Sequence, residues 1–276
     1  MKINTKYLFA LIPYLNLLFV NVVFGINPKR QYDATPDAIG VEYSVHKIHI
    51  SDSVKLNSWV CLQADKGKPF IIISGSDAGN MANALGQTKA LYDAGYNVIL
   101  YDYRGFGESS DFNINQNMVY YNEFSDDLKK TIQYVKATFT PSSIVLYGMS
   151  MGTIVSRMNA DSDPLIKGLI LDSFVIDPKL IVERIFALKN KNLVLPDNSI
   201  DYSRGNETVL KKPVLIFSGL KDIVTKTTDY TKFLSRNRDS QMVTWDCNHL
   251  ECFTSMGSEP SLYIAAVKSF INSLLK

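Results

Sequence analysis

The string Gly148-Met149-Ser150-Met151-Gly152 is the part of this sequence best equipped to do chemistry. It follows the apolar run Ile144-Val145-Leu146-Tyr147 and leads into a stretch with helical patterning, residues 151–160. A serine at a tight strand-to-helix turn has its hydroxyl exposed above the sheet edge. The crowded backbone there needs small residues two positions to either side. The same turn aims the Met151 amide, at the helix N-terminus, toward an oxyanion forming on a carbonyl attacked by Ser150. A serine hydroxyl is a weak nucleophile at neutral pH, so a base must take its proton. Three histidines are present, His46, His49 and His249, and His249 alone lies after Ser150.

The elements that must position these groups are legible in the hydrophobic pattern. From Phe70 onward, short apolar runs at residues 70–74, 97–101, 143–147, 168–171 and 213–218 alternate with helical stretches. Strands apolar on both faces and separated by helices predict a parallel sheet covered on both sides. Helices are expected at 80–94, 121–138, 151–160, 225–237 and 262–275, with a last strand at 241–245. Upstream, residues 41–50 and 54–64 alternate in the manner of an antiparallel hairpin around Ser51-Asp52-Ser53. Between 176 and 212 the pattern breaks into a helix at 180–189 and an irregular piece, an insertion rather than a second domain. The expected fold is therefore α/β, a mostly parallel sheet of the eight-stranded type with helices on both faces. It occupies residues 41–276, with residues 177–212 as a small helical cap.

With these motifs in place the chain resembles the α/β-hydrolases. Within them it looks like the small-cap serine hydrolases that carry a Tyr-Asp-Tyr-Arg-Gly-Phe-Gly-x-Ser segment, which here is Tyr101-Asp102-Tyr103-Arg104-Gly105-Phe106-Gly107-Glu108-Ser109. The resemblance runs from about residue 70 to the end, with both motifs in the family's order. It implies the chain order Ser…Asp/Glu…His for the catalytic groups. His249, in the loop after the last strand, then becomes the base. Asp222, in Ser218-Gly219-Leu220-Lys221-Asp222-Ile223-Val224, matches the family's position for the acid that orients it. Asp172 and Asp246 are its rivals. The resemblance also places a second oxyanion amide in the loop after residues 70–74. Family members usually show His-Gly there, whereas this chain reads Ser74-Gly75-Ser76-Asp77, so Ser76 or Asp77 would be the donor. Asp102 and Arg104 are expected to tie loops together beneath the site. The cap would overhang it, and Leu180, Ile181, Ile185, Phe186, Leu188, Leu193, Val194 and Leu195 either form an acyl pocket or pack the cap onto the core.

The expected function is hydrolysis of a carboxylic ester or thioester, a small acyl substrate, through an acyl-enzyme on Ser150. Amide or peptide hydrolysis by the same residues, as in aminopeptidase-like relatives, is an alternative. So is a non-catalytic, membrane-tethered binding protein on a hydrolase fold. The formal net charge is +2 with no long run of one sign, which points away from nucleic acid. The three cysteines, Cys61, Cys247 and Cys252, form no metal motif, and no metal or organic cofactor is implied. Cys247 and Cys252 are close enough in sequence to bridge in an oxidising compartment. Lys2 and Lys6 precede an uncharged stretch from Tyr7 to Gly25, followed by Pro28, Lys29 and Arg30. That pattern reads as an export signal, with small residues at the cleavage positions of Val23-Phe24-Gly25, or as a membrane anchor. Either places the domain outside the cytoplasm, periplasmic, secreted or membrane-associated. Residues 26–40, polar and Pro-containing, read as a linker.

Overall fold

The apolar runs and the upstream hairpin form a single mixed sheet of eight strands. The computed structural model describes residues 25–65, 67–199, 209–255 and 260–275, so the leader-like residues 1–24 lie outside it. β2 (Ser44–His49) and β3 (Lys55–Cys61) are the expected hairpin, and β3 joins β6 (Asn97–Tyr101) antiparallel. From β6 the sheet runs parallel through β4 (Phe70–Ser74), β7 (Ile144–Met149), β8 (Ile166–Asp172), β9 (Val214–Gly219) and β10 (Gln241–Trp245).

Alternate side chains of each central strand enter different cores, which is why these strands are apolar throughout. Phe70 and Ile72 pack with α2 (Tyr121–Phe139) and α3 (Met151–Met158) on one face. Ile71 and Ile73 pack with α1 (Leu85–Asp93) and α7 (Pro260–Leu274) on the other. In α2, Phe124, Leu128, Ile132 and Val135 form the buried stripe that their spacing predicts. The cap helix α4 (Pro178–Lys189) starts under an Asp177 cap, whose side chain accepts the Lys179 amide at 2.9 Å. α5 (Thr231–Arg236) and α6 (Cys252–Ser255) complete the set.

Two local expectations change. The helix anticipated at 80–94 begins as a 3₁₀ turn, Met81–Ala84, because Asn80 caps it by accepting the Ala82 amide. The larger change concerns residues 26–40, which do not hang free as a linker. Asn27–Pro28 forms β1, paired parallel with β5 (Ala78–Gly79) in the loop that follows β4. Ile26 is fully buried, and Tyr32 donates to the Asp102 carboxylate at 2.5 Å. Polar composition misleads here because these residues spend their hydrogen bonds on the protein rather than on water.

Candidate active site

The nucleophile elbow is built by backbone strain held in place by neighbours. Ser150 sits at φ 49°, ψ −112°, between the end of β7 and the start of α3. Such a conformation costs a non-glycine residue about 1–3 kcal/mol and persists only where the surroundings dictate it. Here the Ser150 amide donates to the Asp172 carbonyl at 2.9 Å. The Ser150 carbonyl accepts the Thr153 amide at 2.9 Å and its hydroxyl at 2.5 Å. Gly152 is required by close approach: a Cβ there would fall on the Ser74 carbonyl oxygen and 2.6 Å from the Gly75 oxygen. The first turn of α3 is thus pressed against the loop after β4, which places Met151 beside that loop.

Two further loops converge on the elbow. The loop after β9 carries Asp222, and the loop after β10 carries His249. They are fastened together by the Leu220 amide donating to the Trp245 carbonyl at 2.7 Å and Lys221 to Cys247 at 3.0 Å. His249 Nδ1 lies 2.8 Å from Asp222 Oδ2, and its Nε2 lies 2.9 Å from Ser150 Oγ. A carboxylate only accepts, so Nδ1 carries the proton and Nε2 is left to accept the serine hydroxyl. The Asp222 side chain is fully buried and its other oxygen accepts the Val224 and Thr225 amides at 2.8 and 2.9 Å. Burial by itself would raise its pKa. The hydrogen bond and charge of His249, with the Thr225 hydroxyl at 2.6 Å, outweigh burial and hold the carboxyl below its usual range. Of the rival acids, Asp246 turns outward to Lys221 at 2.8 Å.

Asp172 behaves differently. It ends β8, is completely buried, and its Oδ2 has no hydrogen-bond partner among the described residues. The Ser173 hydroxyl approaches Oδ1 at a long 3.4 Å. Burial pushes its pKa up to about 7; the His249 charge and Ser173 pull it down, and the neighbouring Asp222 charge pushes it up. The folded pKa lies above the unfolded value, so the native state binds the extra proton between the two. Stability therefore rises as pH falls from about 7 toward 4, and the penalty for ionising Asp172 is fully felt above 7. Asp172→Asn is accordingly expected to melt at a higher temperature than wild type at about pH 8, with the gap closing by about pH 5. Thermal melts across that range test this; a pH-independent difference would refute it.

The loop after β4 is held from outside the domain core. Asp77 accepts the Gly25 amide on its side chain at 3.2 Å and the Asn27 amide on its carbonyl at 2.8 Å. Lys29 donates to the Gly79 carbonyl at 2.8 Å, and Asn80 returns bonds to the Lys29 and Gln31 carbonyls at 3.1 and 2.8 Å. Burial raises Asp77 to about 6 against the opposing charges of His249 and Lys191 and the Gly25 bond. Asp102 accepts the Met81 amide at 2.7 Å, and Arg104 grips Asp127 through Nη2 at 2.6 Å and Nε at 2.9 Å. The Tyr101–Ser109 segment therefore ties loops and helix α2 together, as anticipated.

Three contributors escaped the sequence reading. Thr225 braces Asp222, and its hydroxyl also lies 3.3 Å from His249 Nδ1. Ser173 holds the histidine loop by accepting the Leu250 amide at 2.9 Å. The β1 strap clasps the loop after β4. Only the first left a trace in the sequence, since a threonine three residues after an aspartate suits an Asx-type turn. Cys247 and Cys252 bracket His249 as free, buried thiols with sulfurs 3.5 Å apart. Among the described residues, no group of His, Cys, Asp and Glu is arranged to hold a metal ion.

The sheet order, the elbow at Ser150 and the loops after β9 and β10 are those of the α/β-hydrolase fold. The family model described as "Serine aminopeptidase, S33" matches residues 75–206. The protein bem46 of Schizosaccharomyces pombe is 26% identical over 70% of this chain, and the chain spans 65% of that relative's length. The YfhR protein of Salmonella typhimurium is 27% identical over 81% of this chain and 80% of its own. Among solved structures, the Pyrococcus furiosus esterase Pf2001 superposes with a TM-score of 0.71 at 21% identity, covering 90% of this chain and 99% of the esterase. Est1E from Butyrivibrio proteoclasticus, solved with ferulic acid bound, gives 0.66 at 20% identity over 83% of this chain and 99% of that one.

Proposed function

We propose that this hydrolase is a serine esterase that cleaves a carboxylic ester or thioester through an acyl-enzyme. The observation that carries the reading is the unbroken relay from Asp222 Oδ2 to His249 Nδ1 at 2.8 Å and from His249 Nε2 to Ser150 Oγ at 2.9 Å. Ser150 Oγ attacks the acyl carbon while His249 takes its proton, and the charge that develops on His249 is stabilised by Asp222. The tetrahedral oxyanion is met by the Met151 amide and by an amide of the loop after β4. Ser76 fits that second role better than Asp77, whose own amide is turned toward its carboxylate. Collapse expels the alcohol or thiol, which takes the proton from His249. Water then repeats the sequence in reverse, releasing the acid and restoring Ser150.

An amide substrate passes through the same oxyanion, and the match to a family described as serine aminopeptidases favours that second reading. The ester reading is preferred because the structural neighbour Pf2001 is named an esterase. Fluorophosphonate labelling tests the reading directly, because only an activated serine reacts. Wild type should label and turn over p-nitrophenyl esters, and Ser150→Ala should do neither. A folded wild-type protein that neither labels nor turns over would instead point to a binding protein on a hydrolase scaffold. A panel of p-nitrophenyl esters and aminoacyl p-nitroanilides separates ester from amide preference.

A further inference from the structure

The chain enters the described fold at the rim of the active site. Gly25, at φ 100°, donates to the Asp77 side chain in the loop that follows β4. It is wedged so closely that a Cβ would strike the Gln116 carbonyl oxygen and stand 2.8 Å from Lys191 Nζ and 3.1 Å from Leu193 Cδ2. Gln116 belongs to the loop before α2, and Lys191 and Leu193 to the cap segment after α4. The entry point is therefore the junction of three rim segments: the loop after β4, the loop before α2 and the cap. Immediately upstream run Tyr7 to Phe24, 18 residues without a charge. At about 1.5 Å per residue such a run reaches about 27 Å as a helix, close to the ~30 Å hydrocarbon thickness of a bilayer.

The surface beside this entry point is apolar and basic. The expectation that the cap's apolar residues act together, as pocket or as packing, divides into two groups. Ile181, Ile185 and Leu193 are buried and join the core. Phe186 (48% exposed), Leu188 (43%) and Val194 (53%) face outward, and so does Met118 (37%), which bridges to Val194. The Val194 amide donates to the Asn117 carbonyl at 2.7 Å, and its carbonyl accepts the Val119 amide at 3.1 Å, fixing the two segments side by side. Between Phe186 and Leu195 the chain holds Lys189 and Lys191 and no acidic residue. The cap sits over the acid loop, because Arg184 of α4 donates to the Val224 carbonyl at 2.8 Å and pairs with Asp229. Exposed large apolar residues interspersed with lysines suit the headgroup region of an anionic bilayer, with rings and branched chains in the interface and ammonium groups at the phosphates.

We propose that this rim is a membrane-docking surface, formed by Met118, Phe186, Leu188 and Val194 with the exposed Lys189, which seats the mouth of the active site on an anionic phospholipid bilayer. The uncharged stretch upstream of Gly25 tethers the chain at that rim, so the site opens toward the bilayer. Its substrates are acyl esters or thioesters of amphiphiles that partition into the membrane. The substrate part of this inference rests on Ser150 being the nucleophile; the docking part does not.

The test uses the full chain reconstituted in mixed phosphatidylcholine and phosphatidylglycerol vesicles. All three native thiols are buried, so a fluorophore can be placed selectively at Leu188→Cys or at Ser142→Cys, an exposed position before β7 at the far end of the sheet. Headgroup nitroxide lipids should quench the label at 188 and leave that at 142 bright. Phe186→Glu with Val194→Glu should lower turnover of a long-chain 4-methylumbelliferyl ester dissolved in the vesicles by about tenfold, while p-nitrophenyl acetate in solution turns over as in wild type. Equal brightness at 188 and 142 overturns the proposal, as does a 188 label that is blue-shifted yet beyond reach of the lipid nitroxides. The latter result would mean that the upstream segment itself covers the patch. Equal loss on both esters, or loss on neither, overturns it too. Retention of p-nitrophenyl acetate turnover by Ser150→Ala would instead sink the acyl-enzyme reading, and the quenching result would stand apart from it.

Discussion

Asp222→Asn is expected to lower kcat by about four orders of magnitude while the protein stays folded and binds substrate nearly as before. The size of the effect comes from a tautomer switch. One Asp222 oxygen accepts the Val224 and Thr225 backbone amides, at 2.8 and 2.9 Å. In asparagine the carbonyl oxygen must occupy that position, because an NH2 group there would face two donors. The NH2 then points at His249 Nδ1, where Oδ2 stands in the wild type at 2.8 Å. The Thr225 hydroxyl, which donates to Oδ2 at 2.6 Å, can rotate to accept instead and so stabilises the arrangement. His249 responds by accepting at Nδ1 and carrying its proton on Nε2, the nitrogen that takes the proton of Ser150 in the proposed mechanism. Steady-state kinetics on an aryl ester should show the loss in kcat with little change in KM. A loss below about tenfold would mean that Asp222 does not orient the base, and Asp172 would be the next carboxylate to test.

Gly152→Ala is the second large effect, and it acts through the backbone. The new methyl falls onto the Ser74 carbonyl, a backbone atom in a fully paired central strand that cannot swing aside. Relief requires α3 to move away from the loop after β4, and that movement separates the Met151 amide from the Ser76 amide, the two donors proposed for the oxyanion. Overpacking of this kind costs about 1–3 kcal/mol or more. Loss of one oxyanion donor costs about 10²–10³ in kcat. Chemical denaturation together with kinetics should therefore report lowered stability and kcat at least about a hundredfold down. Wild-type kcat in this variant would show that the two amides do not act as a pair. An unfolded variant would leave that question to Ser76→Pro, which removes the Ser76 amide without touching the elbow.

These effects share a physical origin. The site is an assembly of loop ends, each rigid because its backbone groups are satisfied by another loop. Ser150 is held by Asp172 and Thr153, His249 by Ser173 acting through Leu250, and the loop after β4 by the strap at residues 25–31. Strain at Ser150 is tolerated because it is distributed over these partners. The same design makes the site sensitive to substitutions that never touch substrate.

The sequence by itself determined the sheet and the candidates. Wholly apolar runs spaced by amphipathic helices leave one solution, a parallel sheet covered on both sides, because such strands have no face to offer to water. Glycines flanking Ser150, a lone downstream histidine and an aspartate just past a strand were equally plain, since turn chemistry and residue type are local properties. Tertiary structure alone decided which groups meet. Asp222 and Asp172 both lie at or just past strand ends, and only the fold gives one of them His249 and buries the other with its Oδ2 unpaired among the described residues. The polar residues 26–40 looked like linker because composition cannot tell a hydrogen bond to water from one to a distant loop. The cap's apolar residues separated into buried and outward-facing sets for a related reason: α4 packs a single stripe, and hydrophobicity does not record which side of a short helix the core will take.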